Sequence, residues 1–259
     1  MTLKAIEHDF AGKVALVTGG SRGLGKSIAT ALASAGADVV IASRKLEPCE
    51  AVAAELRARF DVKAIAYGVH VGHWDELEPM VDFAYNELGH VDILVNNAGM
   101  SPRYPSLEKM DESLFDKVMA VNLKGPFRLS GLIGARMVAG DGGSIVNISS
   151  ISAIRPTRHE LPYAAAKAGL NVITAGFAQE LGPKVRVNAI MAGPYRTDMA
   201  KGWDPMSLEK VTSHFPLARI GDPEEIVGAT LYLAGSASSF TTGSIMTVDG
   251  GASIAGPFS

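Results

Sequence analysis

A tyrosine and a lysine stand four residues apart in the stretch Tyr163-Ala-Ala-Ala-Lys167. If 163–181 is a helix, residues four apart share a face, so the phenol and the ammonium project together. An unperturbed tyrosine has a pKa of about 10, but a nearby ammonium stabilises the phenolate and lowers that pKa. The pair would then exchange protons near neutral pH. The alternative is an alanine-rich helix that carries the two residues by chance.

Other polar side chains follow apolar runs of the chain. Ser150 ends one such run, and Asn96-Asn-Ala-Gly99 follows another. A serine hydroxyl can hydrogen-bond a substrate oxygen while negative charge develops on it. This role requires that the runs be strands whose ends meet, so the elements that carry them have to be identified.

Seven short apolar runs have the length and composition of buried strands. They are 14–17, 38–41, 63–66, 91–95, 144–148, 185–190 and 244–248. The stretches between them have helical periodicity, and this alternation predicts a parallel sheet covered on both faces. The expected fold class is α/β, a single domain over 1–259 with a doubly wound seven-stranded parallel sheet. Pro79 is expected to interrupt a helix that would otherwise begin near Trp74.

A glycine-rich turn, Thr18-Gly-Gly-Ser-Arg-Gly-Leu-Gly25, lies between the first strand and a helix. In an open parallel sheet the ligand binds at the carboxyl ends of the strands, where the winding reverses. Glycines let the backbone approach a diphosphate, whose charge meets free N–H groups at the helix N-terminus. This context favours a dinucleotide site over a tight turn without a ligand.

The tip of the second strand reads Ala42-Ser43-Arg44-Lys45 and contains no carboxylate. An NAD site places an Asp or Glu there to bind the adenosine ribose hydroxyls. A serine and two cations instead match the 2′-phosphate of NADP, which Arg22 could also approach, because guanidinium binds phosphate through paired donors. The pattern favours NADP, with NADPH preferred over NADH. The alternative is that Arg44 and Lys45 only cover the surface.

The bulk composition narrows the class of protein. The chain has 259 residues, a net charge of −3 and no basic run, which argues against nucleic acid or an anionic membrane as a partner. The single cysteine, Cys49, allows no intrachain disulfide and fits a reducing compartment. No apolar run resembles a secretion signal or a membrane span. We expect a cytoplasmic protein, and we expect no metal site.

These motifs together resemble the short-chain dehydrogenase/reductase family, in particular its 3-oxoacyl reductases, over nearly the whole chain. The matching segments are the turn of 18–25, Asn96-Asn-Ala-Gly99, Asn122 in Val-Asn-Leu, Ser150, Tyr163-x-x-x-Lys167 and Val248-Asp-Gly-Gly251. The resemblance implies a Rossmann-type fold, a nicotinamide cofactor and a homotetramer or homodimer.

The resemblance also implies roles for individual residues. Tyr163 would be the acid and base, and Ser150 would orient the substrate oxygen. Lys167 would bind the nicotinamide ribose as well as tune Tyr163, whose pKa the positive charge of an oxidised nicotinamide would lower further. Asn122 would hold a water in a proton relay. Besides Tyr163 and Lys167, the expected cofactor-binding set is Gly19, Ser21, Arg22, Gly23, Leu24, Gly25, Ser43, Arg44, His70, Val71, Asn97, Ala98, Gly99, Gly193 and Thr197.

Three segments depart from the family pattern. His70 stands where the family often has an aspartate near the adenine, and it either changes the hydrogen bond offered to the base or lies at the surface. Ala192-Gly193-Pro194 shifts the proline of the usual Pro-Gly pair by two positions. In the charged loop 155–160, Arg158 and His159 either bind an anionic group of the substrate or are solvated or make subunit contacts.

A segment over about 195–215 is expected to form a lid over the substrate, because it contains several large apolar side chains. An aromatic cluster of this kind could equally be a packing or dimer surface. The expected substrate-site residues are Ser152, His159, Tyr195 and Trp203.

The leading interpretation is an NADPH-dependent oxidoreductase that transfers hydride between nicotinamide and a small-molecule ketone or secondary alcohol, as a 3-oxoacyl or carbonyl reductase does. A sugar or polyol dehydrogenase of the same fold is the enzymatic alternative, and the charged loop near His159 speaks for it. A non-catalytic NADP-binding regulatory protein is the alternative of another class. The intact catalytic set counts against it, since a binding module has no need of a tuned phenol.

Overall fold

The computed structural model describes residues 9–197, 209 and 212–255, and these contain one seven-stranded parallel sheet. The strands are β1 Val14–Thr18, β2 Asp38–Ser43, β3 Ala64–Gly68, β4 Ile93–Asn96, β5 Gly143–Ser150, β6 Val185–Ala192 and β7 Ile245–Val248. Their order across the sheet is β3-β2-β1-β4-β5-β6-β7. The predicted fold class is confirmed, and each predicted strand overlaps an observed one.

Helices connect the strands and cover the sheet. They are α1 Gly23–Ser34, α2 Leu46–Arg59, α3 Trp74–Leu88, α4 Glu112–Met119, α5 Gly125–Ala139, α6 Leu161–Leu181 and α7 Val227–Ala234. A π-helical segment, Ala120–Lys124, joins α4 to α5. The predicted helix over 163–181 is therefore α6, which begins two residues earlier. In the part of the chain that is described, no helix is both long enough and apolar enough to cross a membrane.

Two apolar clusters lie on the two faces of the sheet. Successive residues of a strand point to opposite faces. Val17 and Ile41 pack with α1, α2 and α7, whereas Leu16 and Val40 pack with α3, α5 and α6. Because helices bury both faces, the carboxyl ends of the strands form the edge where side chains can reach a ligand.

Helix α3 begins at Trp74 and continues through Pro79, so the predicted interruption is wrong. Proline lacks the N–H group that would bond the Asp75 carbonyl one turn earlier. Both Asp75 and Pro79 are exposed. Water can therefore satisfy that carbonyl, and the helix tolerates the proline.

The sheet register aligns the ends of the strands that carry the polar motifs. Thr18 lies opposite Ala42, while Ser150 lies opposite Ala192, which is opposite Val248. The strand order reverses between β1 and β4. A crevice for a ligand is expected at such a reversal. Here the glycine turn borders it on one side, and Asn96-Asn-Ala-Gly99 borders it on the other.

Buried polar side chains connect the end of β4 to the helices behind it. Asn96 Nδ2 donates to Ser130 Oγ at 3.1 Å and to Asn147 Oδ1 at 2.9 Å, and Asn147 Nδ2 donates to Thr174 Oγ1 at 2.9 Å. All four residues are buried. These bonds fix β4 and β5 against α5 and α6, and α6 is the helix that carries Tyr163.

Asn147→Ala should lower the free energy of unfolding by about 2–3 kcal/mol, because it removes partners from the buried Asn96 and Thr174 side chains. Urea unfolding at a fixed protein concentration measures this change. Asn86→Ala, at an exposed position of α3, is the control and should change the free energy by less than about 0.5 kcal/mol. Equal values for the two variants would contradict the structural role of Asn147.

Candidate active site

The glycine turn after β1 packs directly on the segment after β4. Gly19 has φ +66°, a left-handed conformation that favours glycine, and a Cβ there would lie 2.8 Å from Asn97 Nδ2. At Gly25 a Cβ would lie 2.3 Å from the Gly19 carbonyl oxygen. Close packing of the turn on itself and on its neighbour therefore requires glycine at both positions.

Thr18 and Asn97 hold these two segments together. Thr18 Oγ1 donates to the Val95 carbonyl at 3.2 Å and accepts from the N–H groups of Asn97 and Ala98 at 3.0 and 3.1 Å. Asn97 Nδ2 donates to the carbonyls of Thr18 and Gly19 at 2.9 and 3.3 Å. The Asn97 amide thus shapes the crevice from within the protein. Thr18 is absent from the predicted site, although its place at the end of β1 and the start of the glycine motif pointed to it.

The N-terminus of α1 has the features of an anion site. No acidic residue stands in its first turn, and no side chain caps the helix at Arg22. Backbone N–H groups there can therefore serve an anion. A Cβ on Gly23 would lie 3.3 Å from Thr197 Cγ2, so Thr197 borders the turn. Leu24 packs against the apolar cluster on the α1 side of the sheet.

Two serines and a cysteine lie at the tip of β2. Ser43 Oγ donates to Ser21 Oγ at 3.0 Å, and it lies 3.1 Å from the buried Cys49 Sγ. Arg44 and Lys45 follow and are exposed. The structure therefore brings together the predicted Ser21, Ser43 and Arg44 beside the glycine turn, with no carboxylate at the tip of the strand.

His70 lies at the same end of the sheet, after β3. Burial lowers the pKa of His70, and the charges of His73 and Arg44 lower it further. His70 therefore lies close enough to Arg44 for the two charges to interact. Its Nδ1 accepts from the Gly72 N–H at 3.2 Å, so the neutral ring carries its proton on Nε2. The Val71 side chain is buried in the core.

Helix α6 presents Tyr163 and Lys167 on one face, at the end of β5. Lys167 Nζ lies 5.7 Å from the centroid of the Tyr163 ring and donates to the Ile148 carbonyl at 2.8 Å. The Ser150 hydroxyl is close enough to the Tyr163 phenol to lower its pKa. The structure therefore brings the predicted serine, tyrosine and lysine together at one end of the sheet.

Asn122 lies in the π-helical segment, a distortion frequent at functional sites. Its Nδ2 donates to the carbonyls of Met100 and Val118 at 2.8 and 2.9 Å, and its Oδ1 accepts from the Met100 N–H at 3.2 Å. A Cβ on Gly99 would lie 3.0 Å from Asn122 Oδ1 and 3.7 Å from Lys167 Nζ. Glycine at position 99 therefore keeps the space in front of both groups open.

Burial raises the pKa of Tyr163 to about 12, against a smaller lowering by the Ser150 hydrogen bond, and the Glu160 carboxylate raises it further. Burial also lowers the pKa of Lys167 to about 8. The net shift of the Tyr163 pKa is therefore upward, opposite to the lowering predicted for the Tyr163–Lys167 pair, because desolvation is its largest cause. At neutral pH Tyr163 keeps the proton that it could donate to a substrate oxygen.

The loop before α6 turns one carboxylate towards these residues. Ser152 Oγ donates to Glu160 Oε1 at 2.9 Å, and the Ser152 N–H donates to Ser150 Oγ at 3.2 Å. The predicted substrate residue Ser152 therefore lies next to Ser150. Glu160 is not among the predicted site residues, and its place three residues before Tyr163 was the signal for it.

The cations of this loop have other partners. Arg158 Nε donates to His159 Nε2 at 3.0 Å, and both residues are exposed. Arg155 Nη1 donates to carbonyls of the C-terminal segment, those of Ala252, Ser253 and Ala255, at 2.8 to 3.0 Å. Arg155 therefore ties the loop to the C-terminal segment, whereas His159 lies on the surface.

Tyr195 packs in the core, and its place in the substrate site stays a prediction. It is 7% exposed, its hydroxyl donates to the Val248 carbonyl at 3.1 Å, and its ring packs against Gly221. Trp203 and most of the predicted lid lie outside the described residues.

Gly193 packs on Asp249, because a Cβ on Gly193 would lie 2.6 Å from the Asp249 Cα. The position that makes this contact therefore remains a glycine, although the proline of the usual Pro-Gly pair is shifted. Within the described ranges, no three metal-binding side chains group closely enough to hold an ion.

Known proteins of similar sequence and structure agree with the resemblance drawn from the motifs. A family model described as enoyl-(acyl carrier protein) reductase matches residues 19–253. The 3-oxoacyl-(acyl-carrier-protein) reductase of Thermotoga maritima is 36% identical over 241 residues, which are 93% of this chain and 97% of the relative.

Two solved structures have nearly the same fold. Gluconate 5-dehydrogenase from Burkholderia cenocepacia J2315, in complex with NADP and tartrate, has a TM-score of 0.91 and 30% identity and covers 96% of this chain and 98% of its own. A 7α-hydroxysteroid dehydrogenase complexed with NADH and 7-oxoglycochenodeoxycholic acid has a TM-score of 0.91 and 34% identity, with the same coverage.

Lys167→Met should remove a pH dependence of stability. The Lys167 pKa of about 8 lies below that of an unfolded lysine, about 10.4, so the unfolded chain binds more protons in this window and the free energy of unfolding rises with pH. From about pH 8 to about pH 10 the wild-type protein should gain about 2 kcal/mol relative to Lys167→Met. Urea unfolding across this range measures the difference. Lys63→Met, at an exposed position, should keep the wild-type profile, and a Lys167→Met profile parallel to it would contradict the lowered pKa.

Proposed function

Because the chain belongs to the short-chain dehydrogenase/reductase family, we propose that it is an NADPH-dependent reductase. It would transfer hydride from the cofactor to a ketone and, in the reverse direction, from a secondary alcohol to the oxidised cofactor. The observation that carries this proposal is the meeting of Ser150, Tyr163 and Lys167 beside the crevice where the strand order reverses. Hydride transfer requires a proton donor at that place, and a binding protein does not.

The residues around the crevice fit a nicotinamide dinucleotide. When bound, the reduced cofactor supplies the hydride. The uncapped N-terminus of α1 would bind its diphosphate, with the glycine turn allowing close approach. Lys167 would bind the nicotinamide ribose, and Asn97, Ala98 and Gly99 would line the opposite wall. The glycine at position 99 supports this assignment, because a Cβ there would lie 3.0 Å from Asn122 Oδ1.

The proton chemistry follows from the burial of Tyr163. As hydride adds to the carbonyl carbon, the carbon–oxygen double bond becomes a single bond and the oxygen gains an electron pair. Ser150 would hydrogen-bond that oxygen, and Tyr163 would donate its phenolic proton to it. An alkoxide is a stronger base than a phenolate, so a phenol with a pKa of about 12 still gives up its proton. In the reverse direction Tyr163 would take the proton back.

NADPH is proposed as the preferred cofactor on the evidence of this chain's own residues. One structural neighbour is described with NADP and another with NADH, so the family alone leaves the choice open. Ser43 and the exposed Arg44 stand at the tip of β2, where no carboxylate would repel a 2′-phosphate. The chain is therefore expected to bind NADPH more tightly than NADH.

The substrate class rests on the relatives. A 3-oxoacyl reductase is similar to this chain, and so is a gluconate 5-dehydrogenase, which supports a sugar or polyol substrate as the second candidate. Steady-state assays of acetoacetyl thioesters against keto-sugars separate the two. A protein that binds NADPH and oxidises none of it with any carbonyl compound would be a binding protein instead.

We also propose that the protein forms a homodimer or homotetramer. Large apolar side chains on the adjoining helices α4, α5 and α6 support this proposal, since Phe115, Phe127 and Val172 are 43%, 47% and 72% exposed. Exposed apolar surface of this kind is typical of a subunit interface.

Tyr163→Phe should reduce kcat by at least about a hundredfold, because the variant keeps the ring and loses the proton that is transferred. The dissociation constant for NADPH, measured by fluorescence titration, should change by less than about threefold because no cofactor charge is paired with the phenol. Tyr85→Phe, on the remote helix α3, is the control and should keep wild-type turnover. Turnover retained by Tyr163→Phe would contradict the assigned role.

Arg44→Ala should weaken the binding of NADPH by at least about tenfold and change that of NADH by less than about twofold, because only NADPH carries the 2′-phosphate. Fluorescence titration with each cofactor measures the two dissociation constants. Arg59→Ala, at the exposed end of α2, is the matched control and should leave both unchanged. An equal loss for NADPH and NADH would refute the 2′-phosphate assignment.

A further inference from the structure

Glu160 occupies the N-cap position of α6, yet no side chain caps the helix there. An acidic group at this position is ordinarily stabilised by the helix N–H groups. The Glu160 carboxylate is turned elsewhere, because its Oε1 accepts from Ser152 Oγ at 2.9 Å. Ser152 is itself buried. The local structure thus directs a negative charge from the helix end towards the end of β5.

This carboxylate is connected to the reacting groups through two hydrogen bonds. Ser152 Oγ donates to Glu160 and the Ser152 N–H donates to Ser150 Oγ, and Ser150 is close enough to the Tyr163 phenol to lower its pKa. Glu160 is close enough for its charge to act on Tyr163. Because Glu160 is partly buried, water screens this charge less than it screens an exposed one.

The positive groups of the same loop do not neutralise this position. Arg158 and His159 are exposed and bond each other, and Arg155 donates to backbone carbonyls of the C-terminal segment. Among the ionisable side chains of loop 155–160, Glu160 is the one joined to Ser150. The charge that this loop adds beside Ser150 is therefore negative, and it lies at the same end of β5 as the Lys167 ammonium of α6.

We propose that Glu160 makes this site select carbonyl compounds that carry an ammonium or hydroxyl group beside the carbonyl, and disfavour those that carry a carboxylate there. Ser152 occupies one acceptor site of the carboxylate, and the remaining lone pairs can accept from a donor on the substrate. A substrate carboxylate would instead be repelled. The inference rests on the proposed reductase activity of the same site.

Three methyl ketones of the form CH₃–CO–CH₂–X test the proposal with NADPH at saturation. They are aminoacetone, hydroxyacetone and acetoacetate, which differ only in X. Glu160→Gln keeps an oxygen that accepts from Ser152 and removes the charge. Glu180→Gln, at an exposed position of the same helix, is the matched control. The measured quantity is the ratio of kcat/KM for aminoacetone to kcat/KM for acetoacetate.

The wild-type ratio should exceed one, and Glu160→Gln should reduce it by about tenfold or more, the effect of one partly buried charge. The value for hydroxyacetone should change by less than about threefold, because the amide still accepts from its hydroxyl. Ser152→Ala removes the hydrogen bond that holds the Glu160 carboxylate, and it should lower the ratio by about threefold or more. This variant tests the proposal if Glu160→Gln does not fold. Glu180→Gln should leave the ratio unchanged.

Two results would overturn the inference. An equal loss of kcat/KM for all three ketones in Glu160→Gln would assign Glu160 a structural role only. If hydroxyacetone is reduced but neither variant changes the ratio of kcat/KM for aminoacetone to that for acetoacetate, charge selection is excluded and the reductase assignment stays intact. If the wild-type protein reduces none of the three ketones and no other carbonyl compound, the proposed function fails and this inference fails with it.

Discussion

The ammonium of Lys167 is buried at the end of β5, where it donates to the Ile148 carbonyl. A charge in such a place is stabilised only if its donors are paired, so this bond fixes the distance between α6 and the sheet. The position of Tyr163 one turn earlier follows from it, because the two residues share a face of α6. The effect of Ser150 on the pKa of the phenol depends on the same spacing.

The remainder of the fold keeps that arrangement in register. The buried amides of Asn96 and Asn147 join β4 and β5 to α5 and α6. Thr18 joins the glycine turn to the segment after β4. Both groups of contacts lie at the reversal of the strand order, so the wall of the crevice and the reacting groups are parts of one hydrogen-bonded edge.

The strands and the meeting of the motifs could be predicted because both depend on local sequence. Buried parallel strands are apolar throughout, and their carboxyl ends lie at the same edge of the sheet whatever the conformation of the loops. The direction of the Tyr163 pKa shift could not be predicted in this way, since it depends on how deeply neighbouring elements bury the ring. The packing of Tyr195 could not be predicted for a related reason. Its sequence neighbourhood indicates a lid, but its hydroxyl bonds β7. The contact of Glu160 with Ser152 depends on the conformation of the intervening loop, which no periodicity encodes.

The missing side chain at Gly99 has a consequence for changing what this crevice accepts. The space between Asn122 and Lys167 depends on the absence of a side chain at position 99, because an added Cβ would lie 3.0 Å from the Asn122 amide oxygen. Enlarging residues on this wall would close the crevice before it altered selectivity. Substitutions intended to change substrate preference are therefore better placed in the loop before α6, which carries Glu160 beside Ser152.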